Sequence, residues 1–164
     1  MAEALLRAHL IARGSDARVH SAGTTAWGGG PTANAVEAML ERGLDISAHE
    51  SRQLTVELVE QADLVLGMTR DHLGRVGRLA SDGVERAFLI GELVRLAQDF
   101  GTMADDEDVR AWARRIAGER PDRRFIGRGT DEVDDPIGEP LAVYRATAAR
   151  MDGELGRLAR LLAP

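Results

Sequence analysis

The chain has 164 residues, 44% of them hydrophobic and 29% charged, with a formal net charge of -6. That size and composition fit one domain with one core, exclude disorder, and disfavour nucleic acid or an anionic membrane as a partner, so any phosphate site must be local, built from backbone amides and one or two arginines. No apolar run approaches the roughly 20 residues of a membrane span, which points to a soluble, cytoplasmic protein, and the absence of cysteine excludes disulfides, thiolate metal sites and thiol nucleophiles for these residues.

Met1 to Arg13 carries apolar residues at Ala2, Leu5, Leu6 and Leu10 with Gly14 behind them, the pattern of a helix and its C-terminal glycine. Ala17 to Ser21 reads as a short strand, and Ala22 to Pro31 as a glycine-rich loop around Trp27. Asn34, with Glu37 three residues on, predicts the start of a second helix that ends at Gly43. Thr55 opens a short helix through Leu58 and Val59.

The run Ala62 to Met68 is nearly continuous in apolar residues, as a buried parallel strand is. Thr69 then caps a helix with Leu73, Val76 and Leu79 on one face, and Arg86 to Ile90 is the next strand. This alternation predicts an α/β fold with crossover connections and an open, mostly parallel sheet. Glu92 to Phe100, Asp105 to Gly118 and the long stretch from Leu141 read as further helices; the acids at the start of the second of these suit a helix dipole. Arg120 to Thr130 reads as a polar loop, and the seven arginines from Arg110 to Arg128 as a solvated face, or else a surface for an acidic partner or nucleic acid.

Several motifs occur in a fixed order: MAEALL at residues 1–6, SAGT at 21–24, Trp27, GLDISAHESRQLT at 43–55, DLVLGMTRDH at 63–72 and DDP at 134–136. Taken together they resemble the low-molecular-weight protein tyrosine phosphatase family over the chain apart from roughly residues 92–130. The resemblance implies a small doubly wound sheet of flavodoxin-like order 2-1-3-4 with helices on both faces. It implies hydrolysis of phosphotyrosine, or of a small phosphomonoester, through a cysteinyl-phosphate intermediate, with no cofactor and no metal.

In this family the cysteine and its arginine sit on a loop, C-x-x-x-x-x-R followed by Ser or Thr, between a first, central strand and the helix that MAEALL begins. Neither that strand nor that loop is in this sequence, so the expectation is a natural chain that starts upstream and an inactive protein as it stands. By the same resemblance Asp135 is the general acid; Ser21, His49 and Arg52 support the phosphate loop from behind; Trp27 and Ile137 border the substrate. Ile137 and Gly138 stand where the animal enzymes have aromatic residues, which weakens the case for phosphotyrosine. A D-D-P-x-G stretch is also simply a turn, and a serine or histidine near a helix start is often satisfied by local backbone. Two alternatives are a catalytically dead relative that binds phosphorylated or acidic partners, with self-association to supply the missing strand, and an arsenate reductase-like protein.

Overall fold

The structure is a computed structural model, and it describes residues 1–25, 28–121 and 127–163. The chain groups into two units: Met1–Leu54 with Asp134–Ala159, and Thr55–Val133 with the stretch from Arg160 onward.

The first unit is built on helices. Helix α1 (Ala2–Ile11) buries Leu5, Leu6 and Leu10, and Gly14 follows at φ 74°, a left-handed turn that suits a residue without Cβ. Helix α2 (Ala33–Leu40) is capped by the Thr32 hydroxyl, which accepts from the Ala35 amide at 3.3 Å. The expected cap, Asn34, instead donates its Nδ2 to the Glu139 carbonyl at 3.1 Å, because Thr32 already serves the open amide. The long terminal helix, α7 (Leu141–Leu162), buries Tyr144, Ala148, Met151, Leu155 and Leu158 as its spacing predicts. It is tied to α2 by the Thr32 hydroxyl, which donates to the Tyr144 phenol at 3.1 Å, and by Arg145 on Glu41; it meets α1 through His9 and Asp152 at 2.7 Å.

The predicted strand at Ala17–Ser21 is absent. Its carbonyls find side-chain donors in place of a neighbouring strand: Arg7 donates to the Val19 oxygen at 3.1 Å and Arg52 Nε to the Ser21 oxygen at 2.9 Å. Pairing is limited to one parallel bridge between Gly23 and Gln53.

The second unit holds the sheet. Helix α3 (Val56–Gln61) starts where predicted, with Thr55 accepting from the Leu58 amide. Strand β1 (Val65–Gly67), helix α4 (Arg70–Leu79) and strand β2 (Ala87–Leu89) form a βαβ unit, the two strands parallel in the register Val65–Ala87, Leu66–Phe88 and Gly67–Leu89. All three residues of β2 are buried, as a strand covered on both faces requires. Gly67 lies against α4, where an added Cβ would come within 2.7 Å of Leu73 Cδ2. The α/β class expected from the alternation is therefore present; among the described residues the sheet has two strands, and a four-strand order is not displayed.

Helices α5 (Ile90–Phe100) and α6 (Val109–Gly118) complete this unit, with Trp112, Ile116, Ile90 and Leu93 fully buried. Helix α6 begins four residues later than the acids suggested. Asp108 is its cap, accepting from Ala111 at 2.7 Å, while Glu107 turns to Arg115 at 2.8 Å and accepts from the Ala104 amide. Asp105 and Asp106 thus precede the helix and do not occupy its first turn.

Arg120 departs further from the sequence reading. It is 7% exposed, not part of a solvated loop: its guanidinium meets the Glu92 carboxylate at 2.9 Å, donates to the Ala87 carbonyl at 2.6 Å and lies 4.3 Å from the centre of the Phe88 ring. The acid at the start of α5 and the Ala87 carbonyl of β2 hold it inward. Of the other arginines in that run, Arg123 and Arg124 lie outside the described residues. No helix is long and apolar enough to cross a membrane among the described residues.

Candidate active site

The residues singled out as phosphate-loop supports converge on one side chain that the sequence reading passed over, Glu3. Its Oε2 accepts from the Ser21 hydroxyl at 2.5 Å and lies 3.9 Å from His49 Nδ1, while Oε1 receives Arg7 from the next turn of α1. Arg52 closes the group from behind, since its Nε holds the Ser21 carbonyl. Helix α1 presents Glu3 and Arg7 four residues apart on one face, and that spacing was readable; the partners 18 and 46 residues away were not.

Two backbone segments hold the cluster in register. The Gly23 amide donates to the Arg52 carbonyl and the Leu54 amide to the Gly23 carbonyl, both at 2.8 Å, around the Gly23–Gln53 bridge. Gln53 Nε2 adds a bond to the Thr24 carbonyl, and the Ser51 hydroxyl donates to the Gly29 carbonyl at 2.9 Å. SAGT and SRQLT are therefore zipped side by side, and the far side of the glycine-rich loop is anchored to the same segment. Trp27, in that loop, lies outside the described residues.

The electrostatics of the cluster are set by competition at Glu3. Partial burial works against its charge, but the Ser21 hydroxyl, the Arg7 guanidinium and the nearby His49 outweigh it and hold the carboxyl below its ordinary range. An ionised Glu3 accepts the Ser21 proton and orients that hydroxyl, leaving the serine lone pairs for a donor on its other side. What the arrangement does chemically is fix a small polar wall, two donors and one carboxylate, at the point where α1 begins.

Asp135 and Ile137 form a separate feature. The Asp135 carboxylate is exposed and accepts from the Ile137 amide at 3.0 Å; the buried Pro136 and Gly138 at φ 82° complete the turn, which the Glu139 amide closes on the Pro136 carbonyl. Ile137 is 60% exposed. No hydrogen bond joins Asp135 to the Glu3 cluster among the described residues. Asp135 thus has a carboxylate oxygen open to solvent at the head of a tight turn, where it can give or take a proton. Among the described residues no group of three or more His, Cys, Asp or Glu side chains could hold a metal.

Comparison with known proteins bears on this geometry. A family model described as low molecular weight phosphotyrosine protein phosphatase matches residues 1–106. A protein-arginine-phosphatase of Bacillus subtilis strain 168 is 31% identical over 163 residues, covering 99% of this chain and 87% of its own. Among solved structures, a YwlE mutant from Bacillus subtilis is similar with a TM-score of 0.70 at 28% identity, over 97% of this chain and 86% of the other. A low molecular weight protein tyrosine phosphatase from T. tengcongensis superimposes with a TM-score of 0.72, also at 28% identity, over 98% and 88% of the two chains. With the motif order, the parallel βαβ unit and these matches in agreement, the chain belongs to the low molecular weight phosphotyrosine protein phosphatase family.

Proposed function

We propose that residues 1–164 form one phosphatase-like domain that supplies the acid and the supporting network for hydrolysis of a phosphorylated protein side chain or small phosphomonoester. In this reading a thiolate attacks phosphorus, the bond to the leaving atom breaks, and Asp135 protonates that atom as it departs; water then hydrolyses the cysteinyl phosphate and returns a proton to Asp135. The observation that carries the reading is the Glu3 cluster, in which Ser21 and His49 meet on one carboxylate beside the start of α1. Such a wall holds the backbone of an anion loop in shape from behind, and Arg52 stabilises the wall through the Ser21 carbonyl. The chain contains no cysteine, so the nucleophile of this reaction is not among its residues.

For the leaving group, the exposed Ile137 stands beside Asp135 and offers an aliphatic border in place of an aromatic one. That border, together with the likeness to a protein-arginine-phosphatase, favours a phosphorylated arginine over a phosphorylated tyrosine as the protein substrate. Protonation by Asp135 serves either case, since the departing guanidine nitrogen and the phenolate oxygen both need a proton.

The test joins a strand and a C-x-x-x-x-x-R-S loop ahead of Met1 and compares this extended protein with the 164-residue chain on p-nitrophenyl phosphate, a phosphotyrosine peptide and a phosphoarginine protein. The shorter chain should turn over none of them. The extended one should be active, prefer the phosphoarginine protein, and lose about 10²–10⁴-fold in kcat on Asp135→Asn. An extended protein that folds but is indifferent to D135N removes Asp135 from the mechanism.

A further inference from the structure

The second unit contains a cavity of about 280 Å³ where α6 passes the end of α3 and the turn before β2. Three guanidinium groups line it, Arg86, Arg110 and Arg114, together with Glu60, Ser81 and Asp82. Most of Arg86 is explained by structure: it is 3% exposed and donates to the carbonyls of Val59, Glu60, Ala62 and Asp82, closing the C-terminal end of α3. Arg110 shares that task through Nη2, on the Glu60 and Ala62 carbonyls, and gives Nε to Asp63 at 3.1 Å.

What remains is a set of donors with no protein acceptor. Arg110 Nη1 and both Nη atoms of Arg114 make no hydrogen bond among the described residues; Arg114 pairs with Glu85 at 3.7 Å through Nε. Capping one helix does not need a third arginine, and the three lie close enough to repel one another: burial first, then Arg110 and Arg114, hold the Arg86 guanidinium below its ordinary value. The lining itself holds three cations and two carboxylates, while Asp63 and Glu85, which pair with Arg110 and Arg114, lie outside it. Two forked guanidiniums are a donor set that a tetrahedral oxyanion accepts from readily.

We propose that this cavity binds a small phosphate-bearing anion, held by the free Nη groups of Arg110 and Arg114; the Ser81 hydroxyl on its wall donates to Asp82 Oδ1 at 3.2 Å. The site is distinct from the Glu3 cluster and from the Asp135 turn, shares no residue with either, and stands whether or not Asp135 is a general acid. Asp82, on its rim, opposes the anion and sets the affinity low.

The test is an NMR titration of the 164-residue chain with inorganic phosphate at constant ionic strength, sodium chloride replaced in step, reading the amides of residues 81–86 and 110–114 and the Arg114 Nε resonance. Saturable shifts confined to those positions are expected. Arg114→Ala, at a half-exposed position that leaves the fold intact, should weaken binding about tenfold, the loss of a charge-assisted hydrogen bond. Asp82→Asn should tighten it. Shifts that grow linearly without saturating show an adventitious ion only and overturn the proposal, as does saturable binding that R114A leaves unchanged.

Discussion

Replacing Arg120 by methionine tests the account of the second unit at its most loaded point. Methionine keeps the length and the contact with Phe88 but leaves the Glu92 carboxylate, whose side chain is 2% exposed, with the Leu89 amide at 3.3 Å as its remaining donor. The carbonyls of Ala87 and Val84 lose their Arg120 partner as well. Stranding one member of a buried, hydrogen-bonded pair costs about 3–5 kcal/mol, against a total stability of about 5–15 kcal/mol for a domain. For a chain of this length that is a fall of about 6–20 °C in Tm. Thermal and guanidinium denaturation of the parent, R120M, Glu92→Leu and the double variant form the assay. The double variant should lose less than the sum of the two singles, because removing both charges also removes the stranded one. An R120M protein within about 1 kcal/mol of the parent would refute the burial argument.

Two further outcomes follow from particular contacts. Because the Glu3 carboxyl titrates lower in the folded chain than in the unfolded one, its stabilising effect is complete above the unfolded value near about 4.3 and is lost as pH falls through the lower folded value. Urea midpoints measured from pH 6 to pH 3 should therefore drop more steeply for the parent than for Glu3→Gln, which should itself cost about 1–2 kcal/mol at neutral pH; parallel curves would show that the carboxylate is not held by Ser21 and Arg7. Gly83→Ala should destabilise by about 1–3 kcal/mol through overpacking, since its Cβ would fall 2.7 Å from Val59 Cγ1 and 3.1 Å from Val76 Cγ1. Adding Val59→Ala should recover part of that loss, and a G83A chain as stable as the parent would mean the two valines yield freely.

Where local chemistry decides structure, the sequence was informative. Thr55 and Thr69 both mark helix starts: the Thr55 hydroxyl satisfies an open amide, that of Leu58, while the Thr69 amide is met by His72 Nδ1 at 3.3 Å. The apolar runs around Leu66 and Phe88 are both strands; burial on both faces explains the run at Ala87–Leu89, whereas Val65 and Leu66 of β1 are only partly buried. Ala17 to Ser21 failed because a strand is made by its neighbour, and the donors that reach Val19 and Ser21 are arginine side chains from residues 7 and 52. Glu3 and Arg120 failed for a related reason: composition assigns a charged residue to the surface unless a partner is known, and Ser21 and His49 for the one and Glu92 for the other are distant in sequence. Ser21, His49 and Arg52 were singled out through motif order, which carries long-range information that periodicity lacks; in the structure Ser21 and His49 lie against Glu3, and Arg52 donates to the Ser21 carbonyl.

Tyr144 is the chain's single tyrosine, 3% exposed, with its phenol oxygen taken up by Thr32. A reagent or kinase that modifies tyrosine must therefore wait until the start of α7 parts from α2. Nitration or iodination becomes a one-site clock for that separation, and phosphorylation of this chain on tyrosine becomes an event restricted to its opened or newly made form.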